Sequence, residues 1–145
     1  MNLGIFGSAN TVDALEADVK RAAALGYGSY WTPQIFDLDA LTALAVIARQ
    51  VPGIRLGTAV VPTYPRHPMM LAQQALTVNQ LADGRLDLGV GLSHNPVVVG
   101  RWGLSVGGPG RHGCVFLAVG VGVGEVGRVC GGGGSLSRRG GGGVG

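Results

Sequence analysis

Residues Ile54–His94 read IRLGTAVVPTYPRHPMMLAQQALTVNQLADGRLDLGVGLSH, and the fold is decided here. Ile54–Pro62 is apolar on nearly every residue, as a strand covered on both faces should be. Pro68 stands where the first turn of a helix tolerates proline. Leu71, Ala75, Val78 and Leu81 or Ala82 then recur at helical spacing until Asp83-Gly84 stops them. Arg85–Leu92 is a second strand. Strand, helix and strand joined by short connections form a parallel crossover unit.

The same alternation extends toward the N-terminus. Leu3–Ala9 reads as a strand, and Asn10 or Thr11 caps a helix with Asp13 and Glu16 in its first turn. Leu15, Val19, Ala22 and Ala23 share one face, Glu16 precedes Lys20 in the favourable order, and Gly26 ends the helix. Tyr27–Phe36 is a strand running into the loop Thr32-Pro33-Gln34. Asp39 starts a helix striped by Leu41, Leu44, Ala45 and Ala48, and Pro52-Gly53 ends it. The chain is therefore α/β, and two architectures fit: a doubly wound open sheet, or part of a (β/α)8 barrel. In both, chemistry gathers at the C-terminal ends of the strands. Those ends are Phe6-Gly7-Ser8, Thr32-Pro33-Gln34, Val61–Tyr64 and Leu92-Ser93-His94.

Composition narrows the classes. In 145 residues, 46% are hydrophobic and 13% charged, which suits one packed domain. A net charge of +3 is too small and scattered for a nucleic-acid surface. Met1-Asn2-Leu3 does not begin a secretory signal, and no run reaches the roughly 18 apolar residues of a membrane span. Cys114 and Cys130 lack zinc-type spacing. The expectation is a cytoplasmic protein with no metal, nucleic-acid or membrane partner.

Each strand-end residue has an active reading and a plain one. His94 is a proton donor or cofactor contact, or else a loop histidine with one hydrogen bond. Gln34 hydrogen-bonds the edge of a flat ring, or is a turn residue. His67 is more naturally a helix-entry residue than a catalyst. Arg66 binds an anion or is simply solvated. Trp31 and Tyr64 line a pocket or pack on neighbouring loops. Asp37, Asp39, Asp83 and Asp87 read as caps and surface residues. GVGLSH fails as a dinucleotide fingerprint, because His94 takes the third glycine's place. GVGEVG, Gly122–Gly127, matches the pattern, but the glycines after it cannot build the helix that the motif requires.

The quoted Ile54–His94 stretch, with YWTPQIF before it and GRWGLSVGGPGRH after it, resembles the luciferase-like monooxygenase superfamily, especially its members dependent on the deazaflavin coenzyme F-420. The resemblance covers about residues 1–112, the first four βα units of a (β/α)8 TIM barrel, whose full form takes roughly 250 residues. It implies an oxidoreductase or monooxygenase that moves hydride to or from a flavin-like ring at the barrel mouth. Coenzyme F-420 is the first choice of cofactor and FMN the second, with a small molecule as substrate. It also implies a non-prolyl cis peptide at Ala59–Val60. On this basis Gln34 and His94 are candidate catalytic residues, and Ser8, Thr58, Ala59, Val60 and Ser93 candidate cofactor contacts. Some coenzyme F-420 dehydrogenases place a histidine where Gln34 stands and a glutamate near His94, a departure that leaves the proton-transfer roles and the substrate open.

The likeness stops at Arg111-His112. Residues 113–145 read GCVFLAVGVGVGEVGRVCGGGGSLSRRGGGGVG, and half of the chain's 28 glycines lie there. The expectation is a disordered low-complexity tail, such as a shifted reading frame of GC-rich DNA would produce. An RNA-binding Arg/Gly tail is disfavoured by its few arginines and lack of aromatics. A different class of outcome follows: a truncated, non-catalytic fragment that is unstable or self-associates through open sheet edges.

Overall fold

Three helices begin where a side chain can satisfy an orphan backbone N–H. Thr11 accepts from the Ala14 amide at 3.2 Å and starts α1, Val12–Ala24. Asp39 accepts from the Thr42 amide at 2.9 Å and starts α2, Ala40–Gln50. His67 Nδ1 accepts from the Met69 amide at 3.3 Å and starts α3, Pro68–Leu81, so His67 is the helix-entry residue that the sequence suggests. The computed structural model describes residues 3–108, 112, 128–131 and 134–136.

The strands are β1 Gly4–Phe6, β2 Ser29–Thr32, β3 Arg55–Thr58, β4 Val61–Pro62 and β5 Leu86–Gly91, all parallel. Their order across the sheet, β1-β2-β3-β5 with β4 also on β5, follows their order in the chain. A doubly wound sheet reverses direction at a switch point. This one does not, and α1, α2 and α3 pack in succession against a single sheet face. That is the winding of a barrel sector.

The core lies between helices and sheet. Leu15 and Val19 of α1, Leu44 and Ile47 of α2, and Leu71 and Val78 of α3 cover Tyr30, Leu56, Leu86 and Leu88. Arg85 fastens the lower end. Its guanidinium donates to the carbonyls of Ile54 at 2.6 Å and Ala48 at 3.0 Å, a cation at the C-terminus of α2.

Among the described residues no helix packs on the opposite face. Strand alternation and register place Phe6, Trp31, Arg55, Gly57 and Asp87 on it. The expectation that the third strand is covered on both faces therefore meets only half its cover among the described residues. Trp31 lies across Gly57, where an added Cβ would sit 2.3 Å from the indole. Asp87, read from sequence as a cap or surface residue, is buried. Arg55 grips it bidentately, Nε to Oδ2 at 2.8 Å and a terminal nitrogen to Oδ1 at 2.6 Å. The reason is register: Arg55 and Asp87 stand on the same sheet face of the neighbouring strands β3 and β5, one residue pair apart.

The third predicted strand is interrupted. Leu56 pairs Leu86 but Val61 pairs Val90, so the β3–β4 side carries one extra residue, a bulge. The Ala59–Val60 peptide there is cis. Thr58 bridges the gap, its hydroxyl donating to the Gly89 carbonyl and accepting from the Gly89 amide, both at 2.9 Å. Gly89 and Gly91 make room for the bulge. A Cβ on Gly89 would meet the Thr58 carbonyl oxygen at 2.0 Å, and one on Gly91 would meet Val60 Cγ2 at 2.5 Å. The GVG of β5 is thus a steric complement to the neighbouring strand.

Within the tail, β6 Arg128–Gly131 pairs parallel with β5, and β7 Gly134–Leu136 pairs antiparallel with β6. Of the tail expected over residues 113–145, only these two segments lie among the described residues. An unpaired parallel edge offers N–H and C=O groups to whatever extended chain can reach it. The Gly122–Gly127 motif lies outside the described residues. No described helix is long and apolar enough to cross a membrane.

Candidate functional site

The upper ends of β2, β4 and β5 meet around a cleft of about 320 Å³. Gln34, Ala59, Val60, Ser93 and His94 all line it. Five of the seven residues singled out by sequence therefore come together. Val60 stands out from the bulge with 41% of its surface exposed, and with Ala59 and Pro62 forms an apolar floor. Ser93 holds φ +66°, a left-handed conformation uncommon for a residue with a side chain. Strain of this kind clusters at functional sites, and here it lies on the cleft rim. His94 is exposed, and its carbonyl accepts from the Val97 and Val98 amides at 2.9 and 3.0 Å.

Two expected residues do not join. Thr58 is fully buried, and its hydroxyl is spent on Gly89, so it supports the floor from beneath. Ser8 lines a separate narrow crevice with Thr32 and Asp37, on the far side of Pro33 and Ile35.

The sequence reading gave no role to Phe36, Val97 or Trp102, which wall the cleft. A π-helical turn, Pro96–Arg101, follows β5 and sets Trp102 there; such turns frequently mark functional sites. Arg101 lies 3.8 Å above the Phe36 ring, a cation–π contact closing that side. Pro96 is the signal that would have marked this turn. A second hollow of about 560 Å³ shares Gln34, Phe36, Pro62 and Trp102 and adds Arg66 and Arg101.

Arg66 is neither solvated nor waiting for an anion. It donates to Gln74 Oε1 at 2.6 Å, to Gln34 Oε1 at 3.2 Å and to Asp39 Oδ2. Burial alone would raise the Asp39 pKa, but the Thr42 amide and hydroxyl and the Arg66 guanidinium together hold it below the ordinary carboxylate value. Tyr64, in the same loop, stacks on His112 with ring centroids 4.3 Å apart. Trp31 lies on the face away from the helices and does not line the cleft. No group of three or more His, Cys, Asp or Glu side chains able to hold a metal ion occurs among the described residues.

The residues fit a flat heteroaromatic guest. The cleft is of ordinary size for a small-molecule site, with an apolar floor, aromatic walls and a few polar groups on the rim.

Comparison with known proteins gives the family and the fold. Residues 4–112 match the family model for luciferase-like monooxygenases. A Mycobacterium tuberculosis protein assigned as a coenzyme F-420-dependent oxidoreductase is 34% identical over 103 residues, covering 71% of this chain and 29% of that protein. The chain thus spans under a third of that relative's length. Among solved structures, the oxygenating constituent of 3,6-diketocamphane monooxygenase from Pseudomonas putida, in complex with FMN, superposes with a TM-score of 0.72 at 15% identity over 82% of this chain and 39% of that one. An F-420-dependent secondary alcohol dehydrogenase gives 0.68 at 19% identity over 81% and 41%. At such identities these two likenesses speak for the fold.

Proposed function

Because the chain belongs to the luciferase-like monooxygenase family, we propose that its strand ends form one wall of a redox-ring site in a barrel oxidoreductase. One observation carries the reading: Gln34, Ala59, Val60, Ser93 and His94, from three separate strand ends, line a single cleft. Coenzyme F-420 is the preferred ring, supported by the relative sharing 34% of residues, and FMN is the second choice. Either ring, when bound, supplies hydride transfer to or from a small-molecule substrate. The chain's own residues bind, orient and shield. Ala59, Val60 and Pro62 support the ring face. Phe36 and Trp102 keep water from its sides. Ser93 holds its rim by hydrogen bonding, and His94, exposed at the edge, carries a proton to or from the substrate through its imidazole.

The described strands supply only this wall. Phe6 is 60% exposed on a face that a closed barrel would cover. That observation favours the second reading: alone, the 145-residue chain is inactive and self-associates through its open sheet edges. We read residues 1–112 as the barrel part and 113–145 as a tail foreign to it. Translating the other forward frames of the underlying DNA past codon 112 tests that origin, and barrel-like sequence in one of them is the expected result.

Titration of the purified chain with coenzyme F-420 and with FMN, followed by fluorescence quenching, tests the site. Saturable quenching at micromolar concentrations is expected, tighter for coenzyme F-420. An absence of binding by either ring would refute the ring-site reading and leave the fragment reading.

A further inference from the structure

We propose that Arg66 is a positioning residue that fixes the Gln34 side-chain amide as an obligate hydrogen-bond donor to the cleft. The inference rests on the reading of the cleft as a ring site and adds a specificity to it. The ligand edge facing Gln34 carries an acceptor, a carbonyl oxygen or an unprotonated ring nitrogen, and an edge bearing N–H is rejected.

A carbonyl oxygen has two lone pairs, and both of Gln34's are taken. Arg66 donates to Oε1 at 3.2 Å and the Ala40 backbone amide at 3.3 Å. Turning the amide over would set its NH2 against these two donors and leave both unsatisfied. The Gln34 NH2 has no partner among the described residues, and Gln34 lines the cleft. Arg66 itself cannot swing away. Its side chain is 18% exposed and forks across Gln34, Asp39 and Gln74. Gln74 Nε2 donates back to Asp39 Oδ1 at 3.2 Å, and Asp39 is held by its cap bond to Thr42. The clamp thus joins the loop after β2, the start of α2, the loop after β4 and the side of α3. Only a planar guanidinium reaches three acceptors in this geometry; a lysine ammonium would keep the charge but lose the fork. An amide so held neither takes nor gives a proton near neutral pH, so Gln34 serves as an orienting donor and not as a base.

A double-mutant cycle on the full chain tests this, with affinity for coenzyme F-420 and FMN read by fluorescence quenching. Arg66→Met and Gln34→Met should each weaken the ring by about five- to tenfold, the worth of one hydrogen bond. The double variant should bind no worse than Gln34→Met alone. Losses that multiply in the double variant would overturn the proposal. Arg66→Lys, which keeps the charge beside Asp39, should fold normally and still lose about two- to threefold; full affinity in that variant would also overturn it. A ligand-free arm separates this proposal from the ring-site reading. In ¹⁵N spectra of the unliganded chain, the Gln34 NH2 resonances should move toward those of free glutamine in Arg66→Met. If they stay put, the clamp is wrong whether or not any ring binds. If they move while neither ring binds the unmutated chain, the clamp stands and the ring-site reading fails.

Discussion

On the helix side of the sheet, Tyr30, Leu56, Leu86 and Leu88 are buried beneath three helices. On the other side, the same strands carry Phe6, Trp31, Gly57 and the Arg55–Asp87 pair, with no helix over them among the described residues. One face is finished by residues 3–90 alone. The other is built from a glycine, two aromatic rings and one ion pair. Stability therefore resides on the first face.

Four measurements would break or sharpen that contrast. The largest effect is expected from Leu44→Ala. This side chain is fully buried between α2 and its neighbours, and the loss should be about 3 kcal/mol in urea unfolding. A loss under about 1 kcal/mol would mean that the helix face is loosely packed. Gly89→Ala comes next, at about 2 kcal/mol, because the new methyl would meet the Thr58 carbonyl, a backbone atom. An unchanged urea midpoint would remove the steric account of the GVG pair.

Asp39→Asn should cost less than about 1 kcal/mol at neutral pH, the group being partly exposed and screened. Its signature is in pH. The Asp39 pKa is lowered on folding, so its contribution is present above the ordinary value of 3.8 and is lost as pH falls through the folded value. The unmutated chain should therefore lose more stability than Asp39→Asn below about pH 4; parallel acid limbs would contradict this. Phe6→Ser, on the face away from the helices, should change stability by less than about 0.5 kcal/mol. A large loss would show that this face is already covered, for instance by a second copy, and sedimentation would report the assembly.

The helix face was legible from sequence for a physical reason. Helical spacing and caps are local signals, and Thr11, Asp39 and Pro68 each act within three or four residues. Strand order was also within reach, since short connections leave few windings, although only the packing of all helices on one face decided between barrel sector and doubly wound sheet. The bulge was not readable by periodicity. In an all-apolar run, one extra residue leaves the pattern unchanged. Its trace lay on the partner strand, in Gly89 and Gly91, where it was weighed as a cofactor fingerprint instead. The clamp was illegible because Arg66 and Asp39 stand 27 residues apart and meet only after folding. Gln34, Ala59, Val60, Ser93 and His94, which the family resemblance implies as site residues, line one cleft because all stand at strand tips. Phe36 and Trp102 were passed over because an aromatic in a loop carries no address of its own.

The Arg85 staple sits at the pole of the sheet opposite the cleft, tying α2 to the chain entering β3. Foundations and rim are therefore separable. Random libraries confined to the rim loops, residues 33–37 and 92–102, can search for new guests without touching the rivet that keeps the sector upright.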